Sequence, residues 1–125
     1  MPTVELTKES FEQTILDNDT VLVDFWAEWC GPCRSFAPTF EKLSDQHPDI
    51  VFGKVDTERE QELASYFQIR SIPTLMIFRD KVILFSQPGA LPEATLDDLI
   101  GRVRAVDMDE VHREIAERQA EHSHL

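Results

Sequence analysis

The segment Val21-Leu22-Val23-Asp24-Phe25-Trp26 constrains the fold more than any other stretch of this chain. Its β-branched and aromatic residues mark a strand, and it is apolar at both alternating sets of positions, so both of its faces must be covered. A strand of that kind belongs in the middle of a sheet, with helices above and below. Asp24 is the exception within it. A carboxyl on a buried strand is costly unless donors surround it or a raised pKa keeps it protonated, and a raised pKa suits general acid–base work. After the strand come Trp29-Cys30-Gly31-Pro32-Cys33 and then Phe36, Ala37, Phe40 and Leu43 at helical spacing, so a helix begins at the cysteine pair itself. Pro38 should kink that helix.

The flanking segments repeat the alternation. Thr7 is placed to cap a helix over Lys8 to Leu16 whose apolar stripe is Phe11, Ile15 and Leu16. Ile50 to Val55 reads as a second buried strand, and Glu58 to Phe67 as a helix facing inward through Leu63, Tyr66 and Phe67. Beyond Ile72-Pro73-Thr74, the runs Leu75 to Phe78 and Val82 to Phe85, joined by Arg79-Asp80-Lys81, read as an antiparallel hairpin closed by Gln87-Pro88-Gly89. A further helix opens near Pro92 and turns Leu96, Leu99, Ile100 and Val103 inward. The expected class is α/β, a mixed sheet with helices on both faces. A last short helix starts from Asp107 as N-cap, with Glu110 three positions on and Val106 facing Val111. Its stripe of Met108, Val111 and Ile115 is narrow, and His122 to Leu125 is expected to fray.

At 125 residues one core is the natural size. The formal charge of −12 repels phosphate backbones and anionic membrane surfaces, which argues against nucleic acid and membrane as partners. The start Met1-Pro2-Thr3-Val4-Glu5-Leu6 lacks the basic and apolar regions of a signal peptide, so a cytoplasmic location is expected.

In a reducing compartment two cysteines three positions apart read as redox-active or metal-binding. Half a zinc site would need further ligands, and His47, His112, His122 and His124 show no spacing that completes one. Disulfide exchange needs a thiolate stable near neutral pH and a second thiol close by. The unsatisfied amides and positive dipole end of a helix starting at Cys30 favour its thiolate. Each unit of depression from about 8.5 corresponds to roughly 1.4 kcal/mol. Cys30 is therefore the expected attacking sulfur, and Cys33, one turn inside, the resolving one. Gly31 allows a substrate backbone close approach, and Pro32 stiffens the first turn where its missing N–H costs nothing. Trp26 reads as core, and Trp29 as an exposed apolar platform for docking.

The stretch Phe25-Trp26-Ala27-Glu28-Trp29-Cys30-Gly31-Pro32-Cys33, with Pro38, Lys54-Val55-Asp56, Ile72-Pro73-Thr74 and Gly89-Ala90-Leu91, closely resembles the thioredoxin family over roughly residues 3 to 105. The resemblance implies a thioredoxin fold, with about five strands in a mixed sheet flanked by four helices, to which the C-terminal helix is added. The expected organisation is a thioredoxin domain over 1–106 and a helical extension over 107–125. The implied activity is protein-disulfide reduction by dithiol–disulfide exchange, serving electron transport and cell redox homeostasis. No bound cofactor is implied, since electrons would come from NADPH through a separate flavin-dependent thioredoxin reductase. That reductase and disulfide-bearing proteins are the implied partners, and the chain is expected to act as a monomer.

Residue by residue, Cys30 matches the family's nucleophile and Cys33 its resolving cysteine, the two forming the redox disulfide. Asp24 matches the buried carboxyl that exchanges the Cys33 proton, and Lys54 the lysine near it. Pro73 matches the cis-proline beside the dithiol, where with Ile72 it would offer a backbone edge to substrate. Gly89 and Ala90 match a third substrate-contact segment. Two positions depart from the pattern: Ser71 stands where glycine is common, and Arg79-Asp80-Lys81 replaces a glycine-containing turn, so Asp80 or Lys81 is expected at positive φ. Two rival readings are a binding module that holds a partner through the apolar rim and the extension, and an oxidant or isomerase. The intact dithiol with Asp24 weighs against the first, and the Gly31-Pro32 spacer and absent signal weigh against the second.

Overall fold

The computed structural model describes residues 3–122. The strands are β1 (Thr3–Glu5), β2 (Thr20–Trp26), β3 (Val51–Asp56), β4 (Thr74–Arg79) and β5 (Val82–Pro88). The helices are α1 (Lys8–Asp17), α2 (Gly31–Gln46), α3 (Gln61–Tyr66), α4 (Glu93–Ala105) and α5 (Met108–His122). The five strands form one sheet in the order β1-β3-β2-β4-β5. β2 lies at its centre, parallel to β3 and antiparallel to β4, as a strand apolar on both faces requires.

Side-chain alternation divides the core in two. Val21, Val23 and Phe25 join Phe11, Ile15, Val55, Met76 and Phe78 beneath α1, with Leu63 and Phe67 packed against them. On the other face Leu22 joins Phe36, Phe40, Leu43, Phe52, Leu75, Leu96, Ile100 and Val103 beneath α2 and α4. Burying each such Leu or Phe contributes about 2 to 3 kcal/mol. Asp24 shares the parity of Leu22 and so lies on the α2 face. Gly53 has no room for a side chain, because a Cβ there would run into the buried Leu6.

Thr7 caps α1 as expected, its hydroxyl accepting from the Ser10 N–H. Leu16, assigned to the α1 stripe, is instead 46% exposed. β1 was not read from the sequence, being three residues long with no interior alternation. α3 is shorter than the periodicity over Glu58 to Phe67 implies. The Asp56 carboxylate accepts from the Glu58 and Arg59 N–H groups, holding these residues in a turn and delaying the helix to Gln61. Within this six-residue helix Leu63 reaches the core with the following Phe67, whereas Tyr66, expected inside, is 78% exposed.

The turn after β4 has both Asp80 (φ 48) and Lys81 (φ 68) in the left-handed region, the cost expected where glycine is missing. This turn also holds the extension. Arg79 Nη1 donates to the carbonyls of Val103, Arg104 and Val106 at 2.8, 3.2 and 2.8 Å, capping the C-terminus of α4 with positive charge. Asp80 Oδ2 lies 3.5 Å from His112 Nε2 on α5. The Asp107 carboxylate accepts from the Glu110 N–H, as read from the sequence, and Met108 is buried. The fraying expected over His122 to Leu125 concerns mainly 123–125, outside the described residues, while His122 ends α5.

Arg79→Ala is expected to destabilise the protein by about 2 kcal/mol, because charge-assisted hydrogen bonds to the last carbonyls of α4 are lost. The urea midpoint should fall and the α5 amides should exchange faster. An unchanged midpoint would contradict the assignment of Arg79 as the clamp.

Candidate active site

The end of β2 delivers the chain to Ala27, and three residues later Cys30 forms the N-cap of α2, with Pro32 in the first turn. Cys30 and Cys33 are joined in a disulfide with their Cα atoms 5.2 Å apart. The Cys33 N–H donates to Cys30 Sγ at 3.2 Å, and the carbonyl oxygen of Ile72 lies 3.6 Å from the same sulfur. Both cysteines are nearly inaccessible, at 3% and 2% exposure, so burial does not distinguish them. Position does: one sulfur receives a first-turn amide and sits at the positive helix end, and the other belongs to the helix body. An amide hydrogen bond and that dipole both stabilise charge on Cys30 when the bond is reduced.

The Ile72–Pro73 peptide is cis, and Pro73 is buried. Gly89, at φ +107, donates its N–H to the Pro73 carbonyl at 2.8 Å, which ties the end of β5 to the cis-proline loop. A side chain at Gly89 would be strained whatever the space around it. Ile72, half-buried, packs against the cysteines with Ala27 and Trp26. Around this centre Trp29 is 67% exposed, and Gly31, Pro32, Gly89 and Ala90 are exposed. Nothing lies within 4 Å of a side chain built at Gly31, so the space there is open to an approaching chain.

Asp24 is completely buried, and no described residue donates a hydrogen bond to either carboxylate oxygen. Burial pushes its pKa up to about 7, against the opposing pull of the Lys54 charge. The register sets Lys54 on β3 and Leu75 on β4 beside Asp24. Lys54 makes no direct ion pair with the carboxylate. Its ammonium stands 4.8 Å from the centroid of the Trp26 ring, a cation–π contact. Trp26, read from the sequence as core, therefore belongs to the site: it is half-buried, touches the cysteine cluster and carries Lys54. Its place next to Phe25 on a strand, and so on the opposite face, is the signal that could have revealed this.

Among the described residues no group of three His, Cys, Asp or Glu side chains is arranged to hold a metal ion, and no helix is long and apolar enough to cross a membrane. His124, weighed above as a zinc ligand, lies outside the described residues.

Comparison with known proteins agrees with this geometry. The thioredoxin family model matches residues 2–102. A Streptomyces coelicolor relative that goes under a thioredoxin name is 63% identical over 119 residues, covering 95% of this chain and 89% of its own. Thioredoxin 1 of a Nostoc species is 44% identical over 98 residues, covering 77% of this chain and 92% of its own. Among solved structures, a mutant thioredoxin from Halobacterium salinarum superposes with a TM-score of 0.78 at 34% identity, covering 84% of this chain and 93% of the other. A thioredoxin from Plasmodium falciparum gives 0.73 at 33% identity, covering 80% and 97%. With a dithiol pair closed into a disulfide at the head of α2, this chain belongs to the thioredoxin family and is a protein-disulfide reductase that works by dithiol–disulfide exchange.

Proposed function

We propose that Cys30 is the attacking sulfur and Cys33 the resolving one, a reading carried by the Cys33 N–H directed at Cys30 Sγ from the first turn of α2. The Cys30 thiolate attacks a substrate disulfide, forming a mixed disulfide and expelling the first substrate thiolate, which takes up a proton. Cys33 gives its proton to the Asp24 carboxylate and attacks Cys30 Sγ. The second substrate thiol leaves, the Cys30–Cys33 bond closes, and two electrons have passed to the substrate. An Asp24 pKa of about 7 lets the carboxyl hold or release that proton at working pH. Lys54 tunes this pKa through its charge and is positioned by the Trp26 ring.

Substrate is held by the apolar platform of Trp29 with Gly31 and Pro32, by Ile72 beside Pro73, and by Gly89 and Ala90. No described residue accepts from the Ile72 N–H, which leaves it available to an extended substrate backbone, a contact that tolerates many sequences. The oxidised pair is regenerated from NADPH by a separate flavin-dependent thioredoxin reductase, and the protein works in the cytoplasm as a monomer. Residues 1–106 are the catalytic unit and 107–125 a C-terminal helical extension, held beside it through His112 on α5 near Asp80.

The roles of the two sulfurs are tested by trapping. Cys33→Ser, incubated with an oxidised protein substrate, is expected to accumulate a covalent complex through Cys30 that dithiothreitol dissolves, whereas Cys30→Ser should accumulate none. Equal trapping by both variants would overturn the assignment.

A further inference from the structure

We propose that a notch beside the cis-proline loop, carrying Arg70 and Ser71, is a subsite for an acidic side chain of the substrate, about two residues from the cysteine under attack. The inference rests on Cys30 being the attacking sulfur. The Ile72 carbonyl, 3.6 Å from Cys30 Sγ, marks where a substrate cysteine joined to Cys30 must lie. Arg70 precedes Ile72 by two residues, so their Cα atoms are no more than about 7 Å apart, a span that two residues of extended substrate cover. The Ile72 N–H, which no described residue accepts, is there to hold the backbone between. At that distance the notch opens. Gln68, Arg70, Ser71, Thr74, Ser86 and Pro88 line it, where Thr74 at the start of β4 pairs with Pro88 at the end of β5. Its volume of about 170 Å³ is that of a few water molecules, which suits one side chain rather than a helix.

The groups in the notch select a carboxylate. Arg70 is the one charged residue lining it, and no acidic side chain shares the lining. Arg70 is exposed, and its guanidinium makes no ion pair or hydrogen bond with a described residue, so its donors are open to a ligand. The planar fork of an arginine matches a carboxylate in geometry as well as in charge. The Thr74 hydroxyl is committed to the Ser71 carbonyl at 2.6 Å, whereas the hydroxyls of Ser71 and Ser86 bond no described residue and are free to donate. Ser71 stands where glycine is common in the family, so this chain adds a donor that the family pattern lacks. A second notch, on the β3 side of the dithiol, makes the contrast. Glu28, Asp56 and Glu58 line it together with Arg34 and Arg59, and with both signs present it singles out neither. The chain's charge of −12 disfavours strongly acidic proteins, but at physiological salt that field is screened beyond about 8 Å. Arg70 and Ser71 therefore read one residue near the disulfide and not the charge of a whole partner.

The test uses the full-length Cys33→Ser variant and symmetric disulfide dimers of a short peptide, in which both substrate sulfurs are equivalent. Three peptides differ only in carrying glutamate, glutamine or lysine two residues to either side of the cysteine. The rate of mixed-disulfide formation on Cys30 is followed by mass spectrometry and divided by each dimer's own rate with dithiothreitol. Glutamate is expected to exceed glutamine roughly threefold, and lysine by more. Adding Arg70→Gln should level the three peptides, Arg70→Glu should favour lysine, and Ser71→Gly should reduce the glutamate preference without abolishing it. Equal rates for the three peptides would overturn the subsite and leave the Cys30 reading intact. A glutamate preference that persists in Arg70→Gln would overturn it as well, by placing the selection elsewhere on the rim. Capture of no peptide would overturn the Cys30 reading, and the subsite with it.

Discussion

Replacing Cys30 with serine is expected to lower NADPH-driven reduction of a protein disulfide, measured with a thioredoxin reductase, on the order of 10³-fold or more. The expectation rests on the first covalent step. A serine hydroxyl at this N-cap would accept the Cys33 N–H much as the sulfur does, so the fold and the substrate rim should survive. No thiolate remains to attack, and neither the rim nor Asp24 can substitute for the bond that is no longer formed. Two controls separate loss of chemistry from loss of structure: the urea midpoint should shift only by the contribution of the missing disulfide, and noncovalent affinity for a reduced substrate peptide should persist. A variant that keeps the wild-type rate would show that Cys30 is not the nucleophile.

The second large effect concerns Asp24. Its pKa is raised from an ordinary value near 3.8 to about 7 in the folded protein, through burial. Below pH 4 both folded and unfolded chains carry the proton, and the residue adds no pH dependence. Between about 4 and 7 the unfolded chain releases its proton while the folded one retains it, so stability falls as pH rises. Above 7 both are ionised and the full cost of the buried charge is present, on the order of 4 kcal/mol. Asp24→Ala removes that cost and leaves a small gap. It should therefore be more stable than the wild type at pH 8 by roughly 1 to 4 kcal/mol, with the advantage vanishing toward pH 4. Urea titrations across this range read the effect directly. The same substitution should slow resolution of the mixed disulfide and remove the decline of that step as pH falls through 7, because no carboxylate remains to take the Cys33 proton. A destabilised variant with unchanged resolution would refute both parts.

Much of the fold was legible residue by residue. The two-faced apolar strand Val21 to Trp26 became the central strand, Thr7 and Asp107 became caps, and the helix beginning at the cysteine pair placed Cys30 where the first-turn amides point. These features depend on neighbours within four positions, so a linear reading suffices. The misreadings share a cause. Leu16 and Tyr66 fit a helical stripe, but Leu16 lies in the last turn of α1 and Tyr66 ends a six-residue α3 that begins late, and both side chains stay exposed. β1 is too short to carry a pattern and is held by pairing with β3, some 49 positions away.

The chain's sequence by itself determined the strand–dithiol–helix unit and the chemistry that two thiols at a helix start can perform, because spacing and capping are local. Only the tertiary structure decided how Asp24 titrates, since burial and the registered neighbour Lys54 come from strands distant in the chain. It likewise directed Lys54 onto the Trp26 ring, fixed the end of α4 through Arg79, set α5 beside the β4–β5 turn through His112, and left Leu16, Tyr66 and Ile83 facing one groove. The physical reason is common to all of these: desolvation and contact are properties of assembled surfaces, and no short window of residues contains both sides of one.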